Sequence, residues 1–97
     1  MFMDEELEYT FMYKEKGEEK KGIISLTLEE YVNSFSTDLF HLSQNYDDKT
    51  VNNYVEQDKL DFIKCLIEEE YGNVKVTKRE LKSIMKEIDE DYEICED

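Results

Sequence analysis

The stretch Gly22-Ile-Ile-Ser-Leu-Thr-Leu-Glu-Glu-Tyr-Val-Asn-Ser-Phe35 decides the fold, because it marks where a strand must give way to a helix. Ile23 to Leu26 reads as a short strand. Thr27 followed three residues later by Glu30 is a capping box, and Leu26 with Tyr31 fills the two positions of a hydrophobic staple. Behind that start, Leu28, Val32, Phe35, Leu39, Leu42 and Tyr46 recur at spacings of 4, 3, 4, 3 and 4, one apolar stripe along a helix. The spacing predicts a helix over 28–45, closed by the polar run Asn45 to Lys49.

Upstream, Leu7, Tyr9, Phe11 and Tyr13 alternate with Glu8, Thr10 and Met12, the period of a half-buried strand. Between the strands lies Lys14-Glu-Lys-Gly-Glu-Glu-Lys-Lys21, which predicts a long charged loop with Gly17 as its turn residue. The result is a β-hairpin near residues 7–26. Two strands alone are only marginally stable, so they must lean on helices or on a third strand.

Downstream, Leu60, Ile63, Leu66, Ile67 and Tyr71 predict a second helix over about 55–71, with its start left open between Thr50 and Asp58. Gly72 stops it in a left-handed conformation. Val74 and Val76 alternate in a very short extended piece. Thr77 with Glu80, and Val76 with Leu81, repeat the capping box and staple. Leu81, Ile84, Met85 and Ile88 form the apolar face of a third helix over 78–92. The expected fold is therefore α+β, a small single domain over 1–97 with an N-terminal β-hairpin packed on three amphipathic α-helices and a frayed acidic tail at 93–97. A mostly helical bundle is the alternative should the strands be overridden. The expected core is Leu28, Val32, Phe35, Leu39, Leu42, Ile63, Leu66, Ile67, Leu81, Ile84 and Ile88, with Tyr31 and Tyr71 beside it.

Twenty-six Asp and Glu against twelve Lys and Arg give a formal charge of −14 over 97 residues. That exceeds the magnitude of ~2–8 a small domain needs to stay in solution. Such a charge repels nucleic acid and anionic membrane surfaces and attracts basic protein surfaces. Residues 1–50 and 51–97 each carry −7, so the chain is not a neutral domain with an acidic tag. Seven Tyr and five Phe make it too aromatic for a plain disordered acidic segment.

Little in the sequence speaks for chemistry. His41 is the one histidine and reads as a partly buried residue on a helix face, with no cysteine at metal-ligand spacing. The acidic clusters at 4–6, 47–48, 68–70 and 89–91 lack the alternating ligands and central glycine of a calcium loop. Gly17, Gly22 and Gly72 make neither a phosphate loop nor a dinucleotide fingerprint. The expectation is no enzyme, no cofactor and no metal. Cys65 reads as a small buried hydrophobe and Cys95 lies in the acidic tail; with no apolar run long enough for a span, they predict a reduced, cytoplasmic chain.

The acids themselves carry the functional expectation. Glu68, Glu69 and Glu70 occupy the last helical turn of the second helix, where the dipole disfavours negative charge. Glu87, Asp89, Glu90 and Asp91 crowd the end of the third. These seven carboxylates, with Tyr46, Tyr54 and Tyr92 as aromatic anchors, are the expected partner-binding residues. No motif assigns a family. In size, charge and aromatic content the chain resembles small acidic inhibitors from phages and other mobile elements, which block DNA-binding defence enzymes by mimicking nucleic acid. It is similar in the same way to small acidic immunity proteins and antitoxins. The resemblance implies a non-catalytic inhibitor of a basic nucleic-acid-handling protein, such as a CRISPR or restriction nuclease, with no direct nucleic-acid or membrane contact. The alternative is a regulatory or assembly subunit that binds its partner through an apolar patch. The abundance of Lys, Glu, Asn, Ile and Tyr fits an AT-rich bacterial or phage genome.

Overall fold

The computed structural model describes residues 4–96, and for residues 37, 38, 95 and 96 the backbone alone. An antiparallel hairpin of β1 (Glu6–Glu15) and β2 (Glu18–Thr27) packs against α1 (Leu28–Leu42), α2 (Asp48–Tyr71) and α3 (Lys78–Glu96). This is the expected small α+β domain. Of the tail expected to fray at 93–97, residues 93–96 continue α3, and Asp97 lies outside the described residues.

Alternation fixes the sheet. Tyr9, Phe11 and Tyr13 of β1 are buried beside Ile24 and Leu26 of β2, while Thr10, Met12 and Ile23 point outward. The loop, however, is two residues and not a long charged segment. Lys16 and Gly17 have φ of 54° and 81°, and Glu15 pairs directly with Glu18. Positive φ at both positions is what a tight hairpin turn needs to match the strand twist. The charged residues therefore continue the strands past the core, with Lys20 bonded to Glu15 at 3.2 Å.

Gly22 lies opposite Phe11. A Cβ at Gly22 would stand 2.7 Å from Phe11 Cζ and 3.0 Å from Tyr71 Cζ, so the two rings occupy the space a side chain would need. Tyr71 crosses β2 there. Its hydroxyl accepts from the Ile23 N–H at 2.8 Å and donates to the Ile23 carbonyl at 3.1 Å. On the far edge, Lys14 and Lys75 exchange two backbone hydrogen bonds of 2.9 and 3.1 Å. The short extended piece around Lys75 is thus a one-residue bridge to β1.

The two capping boxes differ. At Thr27 both halves form: its Oγ1 accepts from the Glu30 N–H, and the Glu30 carboxylate accepts from the Thr27 N–H. At Thr77 only the first half is present, with Oγ1 accepting from the Glu80 N–H at 3.2 Å. The Glu80 carboxylate instead accepts from the Met12 N–H at 2.9 Å, satisfying an edge group of β1. α2 begins at Asp48, ahead of both candidate starts, because Asp47 accepts from the Thr50 N–H at 2.8 Å and caps it. Gly72 ends it at φ 74° and ψ −150°, not in the expected left-handed helical conformation but in an extended positive-φ region open essentially to glycine alone.

The core forms where the sheet and all three helices meet, around Phe11, Leu26, Leu28, Tyr31, Ile63, Ile67, Ile84 and Ile88. The expected α1 stripe is buried only at its start. Phe35 packs partly buried on the core, Val32 and Leu42 are half-buried, and Leu39 is 39% exposed. The reason is length. α2 has 24 residues, about 36 Å at 1.5 Å per residue, which outruns the core. Its first half runs beside the second half of α1, with Val51 and Val55 buried apart from the main core cluster, and it meets α3 through the Lys59–Asp89 and Glu56–Lys82 pairs. They form an arm, and the molecule measures 45 × 29 × 19 Å.

Candidate protein-binding surface

Five of the expected surface groups, Glu87, Asp89, Glu90, Asp91 and Tyr92, belong to α3. Tyr31 is fully buried, and its hydroxyl donates to Asp89 Oδ1 at 2.6 Å. Lys59 Nζ donates to the same oxygen at 3.1 Å. The ammonium also sits 4.9 Å from the Phe35 ring centroid and 5.5 Å from that of Tyr31. Tyr9 donates to Asp91 Oδ2 at 2.6 Å. Burial first, and then the bond to a carboxylate, push the ionisation of both phenols well above the ordinary tyrosine range. Asp89 and Asp91 are thus engaged in holding α3 to β1, α1 and α2. Tyr92 is half-buried against the core. That leaves Glu87 and Glu90 as the exposed members of this group, joined by Glu93.

Glu68, Glu69 and Glu70 are exposed at the end of α2, where no base stands in the last turn. Glu69 and Glu70 share a shallow groove of about 300 Å³ with Glu6, Ser25, Ile24 and Leu66, alongside β2. Glu68 opens on another groove, of about 390 Å³, together with Lys64 and Lys75. The fold does not bring the two predicted groups into contact. Asp89 meets α2 at Lys59, ten residues before Glu69, or about 15 Å along the helix axis. One group flanks the hairpin on the β2 side and the other on the β1 side.

The fold does something the sequence halves conceal. Bridging Lys14 to Lys75 gathers segments 14–21 and 72–82 at the hairpin tip. Together they hold eight of the twelve bases and four of the acids, a sum of +4 that falls to +3 when Glu56 of α2, paired with Lys82 at 3.3 Å, is counted. At the opposite, open end of the hairpin lie the start of β1, the start of α1 and the last half of α3, tied there by the Tyr9 and Tyr31 hydroxyls. Residues 4–8, 27–31 and 86–94 hold eleven carboxylates and one lysine, −10. The ends are one strand length apart, nine residue steps from Glu6 to Glu15, or about 30 Å. That is several times the screening length of ~8 Å at physiological salt, so each end presents its own field.

Tyr46 and Tyr54 lie elsewhere, at the end of the arm. Their rings are 6.4 Å apart, and they are 54% and 52% exposed. Phe40 is exposed nearby, its ring 5.7 Å from that of His41, which is exposed and not partly buried as expected. Sequence reasoning missed Leu39 and Phe40 because a helical stripe reveals which residues share a face but not whether anything covers it. Cys65 is a free thiol on the exposed side of α2, not a core residue. Among the described residues no group of three His, Cys, Asp or Glu could hold a metal ion, and no helix is long and apolar enough to cross a membrane. No protein-family model, curated protein or solved structure matches the chain.

Proposed function

We propose that the chain is a non-catalytic binding protein that occupies the basic surface of a nucleic-acid-handling protein, in a reduced compartment such as the cytoplasm. The observation that carries this reading is the separation of charge. Eleven carboxylates stand against one lysine at the open end of the hairpin, nine of them on β1, α1 and α3 and two, Asp4 and Glu5, directly before β1. α3 also ends without a base in its last turn, an arrangement that costs local stability through the helix dipole. Ordered like charges of this kind recover that cost when a basic surface neutralises them. Phosphates recur at ~3.4 Å along one strand of a duplex, and carboxylates spaced by several ångströms on rigid elements can fill a channel built for them. Inhibition is then steric and electrostatic. A phage-encoded inhibitor of a bacterial defence nuclease is the first choice within this class, and an immunity protein or antitoxin the second.

The test is capture of the partner from host lysate on the immobilised protein, followed by competition with DNA or RNA over a salt series. Release by nucleic acid and weakening as salt rises support the reading. A captured partner indifferent to both overturns it. A second reading, a regulatory or assembly subunit docking through an apolar patch, is favoured by the exposed aromatics at the end of the arm, and salt-insensitive binding is its signature.

A further inference from the structure

We infer that the end of the α1–α2 arm is a docking site for a basic amphipathic helix of a partner protein. This goes beyond the reading above, which concerns the open end of the hairpin. Leu39, Phe40, Tyr46 and Tyr54 are 39%, 64%, 54% and 52% exposed within one short stretch of structure. They are not loosely held. Ser43 donates its N–H to the Leu39 carbonyl at 3.0 Å and its hydroxyl to the Phe40 carbonyl at 3.0 Å, and the Tyr46 N–H donates to the Leu42 carbonyl. Asp47 caps α2 directly afterwards, and Val51 and Val55 are buried beneath. An ordered scaffold thus presents large apolar side chains to water, the mark of an interaction surface more than of a random exposed residue. Aromatic residues so placed are the side chains that most often anchor a partner.

The shape and charge of the arm select the occupant. Its described backbone around these residues is helical or turn, with no strand edge to pair an extended segment, which would leave that segment's peptide groups unsatisfied. A helix satisfies its own backbone and adds a third member to a two-helix arm. Asp47 and Asp48 stand against Lys49 at the start of α2, Glu56 being paired with Lys82 at 3.3 Å, and the whole chain carries −14. A second copy or an anionic membrane is therefore repelled, and a helix bearing Lys or Arg beside its apolar face is attracted.

Two synthetic peptides of identical Leu and Lys composition serve as probes, one ordered as an amphipathic helix and one scrambled so that no apolar face forms. Binding is followed by fluorescence anisotropy of the labelled peptide, and its position by tyrosine-ring NMR shifts. The amphipathic peptide should bind about tenfold or more tightly than the scrambled one, shift Tyr46 and Tyr54, and lose about tenfold in affinity with Phe40→Ser or Tyr54→Ser. Both variants alter exposed side chains, and an unchanged circular dichroism spectrum confirms the fold. Equal binding of the two peptides, weakened only by Glu87→Gln with Glu90→Gln, overturns the arm site while leaving the acidic-end reading intact. Binding by neither peptide overturns the arm site, and nucleic-acid competition for the captured partner then decides the other reading separately. A concentration-dependent dimer abolished by Phe40→Ser also overturns it, because the occupant would then be a second copy.

Discussion

Tyr31 and Tyr9 join elements that lie 58 and 82 residues away in the chain through single hydroxyls. A hydrogen bond to a charged group contributes roughly 1.5–3 kcal/mol, so Tyr31→Phe and Tyr9→Phe should each lower unfolding free energy by about that amount in urea titrations. Alkaline pH should act through the same atoms. Both phenols keep their protons in the fold far above the ordinary value of 10.0, while the unfolded chain releases them near it. Their contribution is therefore complete below pH 10 and declines above it, by up to about 1.4 kcal/mol per pH unit for each tyrosine. The double Phe variant should show a correspondingly shallower alkaline decline; an identical slope would mean the two hydroxyls are not the groups that titrate. Gly22→Ala should cost roughly 1–3 kcal/mol through overpacking, because Phe11 and Tyr71 already fill the position. None of these contacts was legible in the sequence. A tyrosine in a strand and an aspartate in a distant helix carry no local signal of each other.

At the scale of elements, much was legible and the reasons are local. Thr27 with Glu30 announced α1 because the box is made within four residues, and Gly72 announced the end of α2 because only glycine suits its backbone. The hairpin turn was misjudged because Lys16 accepts a positive φ that asparagine more commonly takes. The α1 stripe was overextended for a different reason: its period was right, yet nothing in a period states where the neighbouring layer stops. Mutational cost should follow the structure and not the stripe. Ile63→Ala or Ile88→Ala should cost about 2–5 kcal/mol, and Leu39→Ala less than about 1 kcal/mol. Comparable losses at Leu39 and Ile63 would show the arm to be core after all. Asp47→Ala should unravel the first turn of α2 and reduce helical signal. The hydrogen bonds from Thr50 hold this carboxyl below its usual range, so its capping effect is present at neutral pH and lost as acid protonates it.

For the whole molecule, the charge polarity is a product of topology. Each half of the chain carries −7, and only the return of 72–82 to the hairpin tip sorts bases from acids. Of the predicted acids on α3, Glu87 and Glu90 are exposed at the acidic end, whereas Asp89 and Asp91 hold the fold. Neutralising Glu87, Glu90 and Glu93 to Gln should preserve the fold and raise its melting temperature at low salt by relieving repulsion. The same change should slow association with a basic partner. Replacing Lys16 and Lys20 by Gln at the tip should leave that rate nearly unchanged or raise it slightly. Stopped-flow rates against ionic strength separate these outcomes, and a larger loss from the tip variants would reverse the proposed orientation.

The single phenol of Tyr71 at β2 and the Lys75 bridge at β1 carry a consequence for behaviour in concentrated solution. A two-stranded ribbon offers two templates for intermolecular ladders, and proteins avoid fibrils by blunting such templates. Here one side is stopped by a hydroxyl that satisfies both backbone groups of one residue, Ile23, and the other by a one-residue splice and a glutamate. Tyr71→Phe removes the first stop without removing the ring that covers Gly22. The variant should remain folded when dilute yet assemble on concentration, seeding thioflavin-positive polymers fastest at high salt, where the repulsion of −14 per chain no longer keeps copies apart.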